Sequence, residues 1–203
     1  MHDTAYELAR IFFRTYARAG DPILEIGSMD VNGSMRDFRP ASGHYVGVDL
    51  SPGKGVDVVT DSAARLPFKS GAFQLVVSSS AFEHDAMFWM TFHEMCRLVQ
   101  PGGYIYINAP SRGYLHSYPI DAWRFFPDAG LALRDWARTN NQDLELLESF
   151  ITTNRGDVWN DCVMVFTKGG QRPPLLICEQ YPLALNIRVW PDLGTIRRRR
   201  DNW

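Results

Sequence analysis

Cysteine is scarce in this chain of 203 residues, and the three present, Cys96, Cys162 and Cys178, are an odd number with no C-x-x-C spacing. That fits reduced thiols better than a disulfide framework or a zinc site. An excess of either charge is also lacking, since Lys and Arg total 21 against 23 Asp and Glu, for a formal net charge of -2. Such a chain exerts no general pull on nucleic acid or an anionic membrane, so no nucleic-acid partner is expected. No run of about 18 apolar residues occurs, so no membrane span is expected. The opening residues carry no basic-then-apolar leader, which makes the cytoplasm the expected compartment. Internal repeats and low-complexity tracts are absent as well.

What is present alternates. Thr4-x-x-Glu7 reads as a capping box, and Tyr6, Ala9, Phe12, Phe13 and Tyr16 recur at helical spacing until Gly20 stops them. Four apolar runs of strand length follow: "PILEIG" (22–27), "HYVGVDL" (44–50), "VDVVTD" (56–61) and "FQLVVSSS" (73–80). An amphipathic stretch from about Ala86 to Val99 leads through "PGG" to a fifth run, "YIYINAP" (104–110). Within that stretch, His93 and Glu94 are expected to face solvent. Runs apolar on both faces and separated by helices or loops indicate parallel strands covered on both sides. The expected fold is therefore α/β, a doubly wound, mostly parallel, Rossmann-like sheet of seven strands. "LELLESF" (144–150) and "DCVMVFTKG" (161–169) supply a terminal antiparallel hairpin that closes one sheet edge. Residues 1–169 then form the domain. Residues 170–203, with several prolines and "RRRR" at 197–200, read as a wrapping or flexible tail.

In such a sheet, ligands bind at the carboxyl ends of the strands, near the point where strand order reverses. Three successive runs end near Glu25 and Gly27, at Asp49 and at Asp61, so acids and a glycine gather along one edge. A dinucleotide would require G-x-G-x-x-G. Here only Gly27 and Gly33 are present, and Glu25, two residues before the turn, would repel a pyrophosphate. A cofactor with an ammonium and a cationic centre tolerates that carboxylate.

At this point the chain resembles the class I S-adenosylmethionine-dependent methyltransferases, over roughly residues 20–167. The resemblance is carried by "ILEIG", "YVGVDLS", "VVTDSAARLPFKSGAFQLVVSSSAFEH" and "EMCRLVQPGGYIYINAP". It implies S-adenosyl-L-methionine as cofactor. Glu25, Gly27 and Ser28 would face its methionyl part, Asp49 would accept its ribose hydroxyls and Leu50 would pack on the adenine. Asp61 and the Ser62 backbone would hold the adenine edge, and Ser79, with Ser80, would end the fourth strand beside the reacting methyl. The chain departs from the family pattern at Met29 and Val31, where glycines are usual. The backbone there must either avoid left-handed conformations or turn at Asn32-Gly33.

The implied activity is methyl transfer, with O-methylation of a small-molecule or sugar hydroxyl preferred. "GSMDVNGS" and "HSYPIDAWRFFPD" resemble variants found among methyltransferases of sugar and surface-polysaccharide enzymes. A non-catalytic module that binds the same cofactor is the alternative, and a dinucleotide oxidoreductase ranks third. The segment 111–128, rich in His, Asp and aromatics, is the expected acceptor lid. Its His116 is the preferred general base, with His84 second and Asp121 third. "WRFFPD" also reads as a helix start packed on the core. The His84-Asp85 pair with Asp121 fits no recognised metal spacing, so no metal is expected. A homodimer is left open by the apolar face of the first helix.

Overall fold

The structure is a computed structural model that describes residues 2–63, 65–153 and 158–197. Helix α1 (Asp3–Tyr16) is followed by β1 (Ile23–Ile26), β2 (Tyr45–Asp49), the two-residue β3 (Val58–Val59) and β4 (Phe73–Ser79). Helix α2 (Phe88–Leu98) runs directly into β5 (Val99–Arg112), and α3 (Pro127–Thr139) precedes β6 (Glu145–Thr152) and β7 (Asn160–Thr167). A short α4 (Ile177–Gln180) then leads to β8 (Ala184–Val189) and β9 (Asp192–Arg197).

Among the described residues, one sheet of nine strands runs in the order β3-β2-β1-β4-β5-β7-β6-β8-β9. Pairing is parallel from β3 to β5 and antiparallel from there onward. The α/β class, parallel core and antiparallel C-terminal strands agree with the sequence. Seven strands are expected and nine are found, because residues 184–197 add β8 and β9 outside the β6–β7 pair. That pair therefore lies inside the sheet instead of closing its edge. Asn186 takes a left-handed φ of 50° in β8, and the β6–β8 register shifts between Ser149 and Ile151. This breaks the two-residue alternation by which strands are recognised. Arg198 to Arg200 and Trp203 lie outside the described residues.

Side chains alternate between two layers. On one face Leu24, Ile26, Val76, Ile105 and Met164 pack under Phe92, Met95 and Leu98 of α2 and Leu133 and Ala137 of α3. On the other, Ile23, Leu75, Val77 and Tyr106 meet Leu8, Ile11, Phe12 and Tyr16 of α1 and Ile177 and Cys178 of α4. The apolar face of α1 is thus covered within its own chain. Its first residue is Asp3 with His2 as N-cap and no side-chain cap, while Glu7 pairs with Arg10 at 2.6 Å, so the expected capping box does not form. All three cysteines are free and buried.

Glu94 differs from its expected solvent position. It is 3% exposed, accepts the Leu66 N–H at 2.7 Å and pairs with Arg97 at 2.5 Å. Its polar character is used to hold the loop before β4 and not to meet water. At the start of α3, Pro127 occupies the first turn and Phe125 is buried, whereas Phe126 is exposed. The helix-start reading of "WRFFPD" therefore holds for Phe125 and fails for Phe126.

A cofactor cleft at the strand switch point

Strand order reverses between β1 and β4, whose neighbours lie on opposite sides. Parallel register sets Glu25 beside Gly47, Ile26 beside both Val48 and Ser78, and Asp49 beside Val59. The residues that follow these levels, Gly27, Ser79 and Asp61, emerge along one edge. They open onto a cleft of about 1150 Å³. Its walls include every residue expected at the cofactor: Glu25, Gly27, Ser28, Asp49, Leu50, Asp61, Ser62 and Ser79.

The turn after β1 takes the second of the two routes open to it. Gly27 has φ +77° and Gly33 φ +104°, while Met29 and Val31 are absent from the positive-φ residues. Asp30 Oδ1 accepts the Gly33 N–H at 2.8 Å and holds the loop in shape. A Cβ on Gly27 would lie 2.4 Å from that of Ala81, so both the backbone angle and the space demand glycine there.

Glu25 is 4% exposed and accepts the Tyr45 hydroxyl at 2.8 Å. Burial pushes its carboxyl up from 4.5 to about 7, against the opposing effects of the Tyr45 hydrogen bond and Arg36. Asp49 accepts the Met29 N–H at 3.0 Å and the Leu50 N–H at 2.7 Å, which fixes its orientation and leaves further lone pairs for a ligand. Leu50 is 61% exposed on the cleft wall, while Asp61 and Ser62 are exposed at the rim. The buried hydroxyl oxygens of Ser28 and Ser79 have no hydrogen-bond partner among the described residues. Ser80, at the end of β4, takes φ 54°, a strained conformation of the kind found at ligand sites.

The far end of the cleft collects His84 and His116. Asp121 stands behind them and accepts from His116 N at 2.9 Å and from Arg124 Nη2 at 2.7 Å. The Arg124 guanidinium holds its carboxyl well below the usual carboxylate range. His116 Nδ1 lies 3.1 Å from Asp121 Oδ2, and the His84 and His116 rings meet edge to face at 4.8 Å. Between the two imidazoles sits Glu83, which the sequence reading passed over. It is 1% exposed, with Oε1 3.6 Å from His84 Nε2 and 3.8 Å from His116 Nε2. Burial pushes its carboxyl up to about 7. Trp159 was missed too, and it packs edge to face on His116 at 4.8 Å. A Cβ on Gly113 would fall 2.0 Å from its ring. An acid beside a histidine gave a signal for Glu83; nothing local marks Trp159, which reaches the lid from the β6–β7 connection. Asp85 turns elsewhere, accepting from Met87 N at 2.9 Å and Thr91 Oγ1 at 2.5 Å.

Residues 14–107 match the family described as "Methyltransferase domain". An "Uncharacterized methyltransferase" of Mycolicibacterium gilvum is 31% identical over 102 residues, covering 43% of this chain and 40% of that protein. A "Fatty-acid O-methyltransferase" of Mycolicibacterium smegmatis is 28% identical over 168 residues, covering 70% of this chain and 59% of that one. The chain thus spans 40% to 59% of the length of these curated relatives. Among solved structures, the fold superposes with a TM-score of 0.63 on the Burkholderia thailandensis 1,6-didemethyltoxoflavin-N1-methyltransferase. The identity there is 15%, over 81% of this chain and 77% of that one. No helix among the described residues is long and apolar enough to cross a membrane. With its strand order, its switch-point cleft and these matches, residues 14–107 form a methyltransferase domain of the class I S-adenosylmethionine-dependent kind, a family that uses S-adenosyl-L-methionine.

Proposed function

We propose that the chain transfers a methyl group to the oxygen of a small-molecule or sugar hydroxyl. The observation that carries this reading is one cleft with two chemically different ends. Strand-end acids and unpartnered serine hydroxyls line one end, and Glu83, His84 and His116 line the other. The residues fit the cofactor: a buried carboxyl held partly protonated by desolvation gains from a cationic ligand, and an exposed Leu50 gains from a covering ring. Asp49 is the group for the ribose hydroxyls, Leu50 for the adenine face, and Asp61 with the Ser62 backbone for its edge. Glu25, Gly27, Ser28 and Ser79 serve the methionyl part. When bound, S-adenosylmethionine supplies a methyl group already activated by its positively charged sulfur.

The chain's own task is then to orient the acceptor, exclude water and take a proton. His116 is assigned the proton, because Asp121 and the Tyr114 carbonyl hold Nδ1 and leave Nε2 toward Glu83. Asp121 is a positioning residue, and His84 is the second candidate base. Such a cluster suits a hydroxyl, which must lose a proton, better than a carboxylate that is already ionised. The fatty-acid O-methyltransferase among the relatives supports oxygen as the acceptor atom. Exposed Tyr114, Tyr118 and Trp123 on the lid offer faces on which a sugar ring can stack.

The test is incubation of cell extract with cofactor carrying an isotopically labelled methyl, followed by mass analysis of the products. Labelled methyl ethers are expected. His116→Ala is expected to lower the rate by about 10²- to 10⁴-fold with cofactor affinity unchanged. Cofactor binding with no turnover on hydroxyl, amine or carboxyl acceptors would instead favour the non-catalytic module.

A further inference from the structure

Glu83 and His84 come from the turn after β4 and His116 from the lid, yet one ligand atom of each lies within 4.8 Å of the other two. Both imidazoles are held in the same way. His84 Nδ1 is 2.5 Å from the Ile120 carbonyl, and His116 Nδ1 is 3.1 Å from Asp121 Oδ2 and 3.3 Å from the Tyr114 carbonyl. An ionised carboxylate and a carbonyl can only accept, so each Nδ1 carries the ring proton and donates it. Each Nε2 then presents a lone pair, and both approach Glu83 Oε1, at 3.6 and 3.8 Å. The other Glu83 oxygen, Oε2, is buried with no hydrogen-bond partner among the described residues. With Glu83 ionised, acceptors thus converge with no donor between them, an arrangement that is unfavourable until a cation, or a proton on Glu83 or an Nε2, joins them.

We propose that Glu83, His84 and His116 bind one divalent transition-metal ion of the zinc class, with a coordination position open to the acceptor end of the cleft. Two histidines and a glutamate are a three-ligand set that leaves the fourth position of a tetrahedral ion free. Bonds of about 2.0–2.2 Å put neighbouring tetrahedral ligand atoms roughly 3.3 Å apart, so the two separations to Glu83 need to close by a few tenths of an ångström and the separation of the two imidazole nitrogens, within 4.8 Å, by at most about 1.5 Å. The Ile120 carbonyl and Asp121 are the outer partners such a site requires, because they fix ring orientation and leave Nε2 free. Two imidazole nitrogens select against magnesium and calcium, which take oxygen. A proton on either Nε2 is the rival occupant. On the reading given above, the ion relieves His116 of proton removal and stabilises the acceptor oxygen as its proton passes to solvent. Ion binding itself does not depend on that reading.

The test strips the purified chain with a chelator and titrates it with Co²⁺ and with Zn²⁺, following cobalt's visible absorption and the heat of binding. One ion per chain is expected, without competition from Mg²⁺. Replacing the exposed His44 (His44→Ala) should leave the isotherm unchanged. Asp121→Asn should weaken binding about 10- to 100-fold, and Glu83→Gln and His116→Ala each by at least about 100-fold. Binding of S-adenosylhomocysteine and far-ultraviolet circular dichroism, measured on every variant, report whether the fold is kept. Co²⁺ that binds the wild-type chain no more tightly than a folded Glu83→Gln/His116→Ala double variant overturns the ion site, and bound S-adenosylhomocysteine in that experiment leaves the cofactor reading standing. Stoichiometric Co²⁺ that these two substitutions abolish supports the ion site, even where S-adenosylhomocysteine fails to bind and the methyl-transfer reading falls.

Discussion

Replacing Glu25 with glutamine is expected to stabilise the cofactor-free chain and to weaken the cofactor. Glu25 is 4% exposed and its carboxyl stands at about 7 instead of 4.5, chiefly through burial. An acid whose folded value is raised contributes its full stability below the unfolded value and loses it as pH rises through the folded one. Ionising this carboxyl in the fold therefore costs nothing near pH 4.5 and about 3 kcal/mol above pH 8, at about 1.4 kcal/mol per tenfold. Glutamine retains a carbonyl oxygen for the Tyr45 hydroxyl, which lies 2.8 Å from Glu25 Oε2, and it never ionises. The stability of Glu25→Gln relative to wild type should thus improve by about 2–3 kcal/mol between pH 5 and pH 8. For a chain of this length that is roughly 4–12 °C in Tm. Urea unfolding of both proteins at the two pH values, without cofactor, measures the difference directly. In calorimetry at pH 8 the same variant should bind S-adenosylmethionine about 10- to 150-fold more weakly, the value of a hydrogen bond to a charged group. A variant-to-wild-type difference that is flat with pH to within about 0.5 kcal/mol would refute the reasoning, because burial would then not be penalising the charge.

The remaining predictions concern neighbouring residues. Asp49→Ala should abolish measurable S-adenosylhomocysteine binding in calorimetry, and Asp49→Asn, which keeps an oxygen for only one of the Met29 and Leu50 N–H groups, should bind weakly and lose about 1–3 kcal/mol in urea unfolding. Gly27→Ala puts a Cβ 2.4 Å from Ala81 at a φ of +77°, so urea unfolding should show a loss of about 2 kcal/mol or more, together with loss of the cofactor. Tyr16→Phe removes the hydroxyl that donates at 2.8 Å to the fully buried Glu148. Leaving that acceptor one donor short should cost about 1–3 kcal/mol in chemical unfolding, with cofactor affinity unchanged. Normal stability in Tyr16→Phe would show that the Ile177 and Cys178 N–H groups, at 3.0 and 2.9 Å, satisfy the carboxylate alone.

The parallel half of the molecule was readable because its central strands β1, β4 and β5 are covered on both faces. Continuous apolar runs follow from that burial, and the acid or serine that ends each run marks the edge where the chain leaves the core. The antiparallel extension was harder to see. β8 carries Asn186 at a left-handed φ and a shifted register, and its Arg188 is 8% exposed, pairing with Asp128 at 2.6 Å. A strand whose charged residue is satisfied by a helix sixty positions earlier gives no apolar rhythm to detect. Glu94 deceived for a related reason. A charged residue in a helix is normally solvated; Arg97 follows three positions on in the same helix, but the Leu66 amide that Glu94 accepts is brought up only by the tertiary fold.

The same distinction separates the two ends of the cleft. At the end assigned to the cofactor the lining residues stand at or just past the ends of their strands, so position along one run of sequence predicts position in space. The proposed acceptor end is assembled from the turn after β4, the segment 111–128 and the β6–β7 connection, and no spacing rule links Glu83 to His116 across 33 positions or either to Trp159. His116 was legible as a histidine among aromatics, but its partner could not be named until the lid folded back. Asp121 illustrates the consequence. Read as a third candidate base, it proves to be the group that Arg124 keeps ionised at 2.7 Å, and a carboxylate held charged beside His116 Nδ1 is poorly suited to take a proton. In the proposed site it orients the imidazole instead, which makes Nε2, and not the aspartate, the atom offered to an occupant of that end.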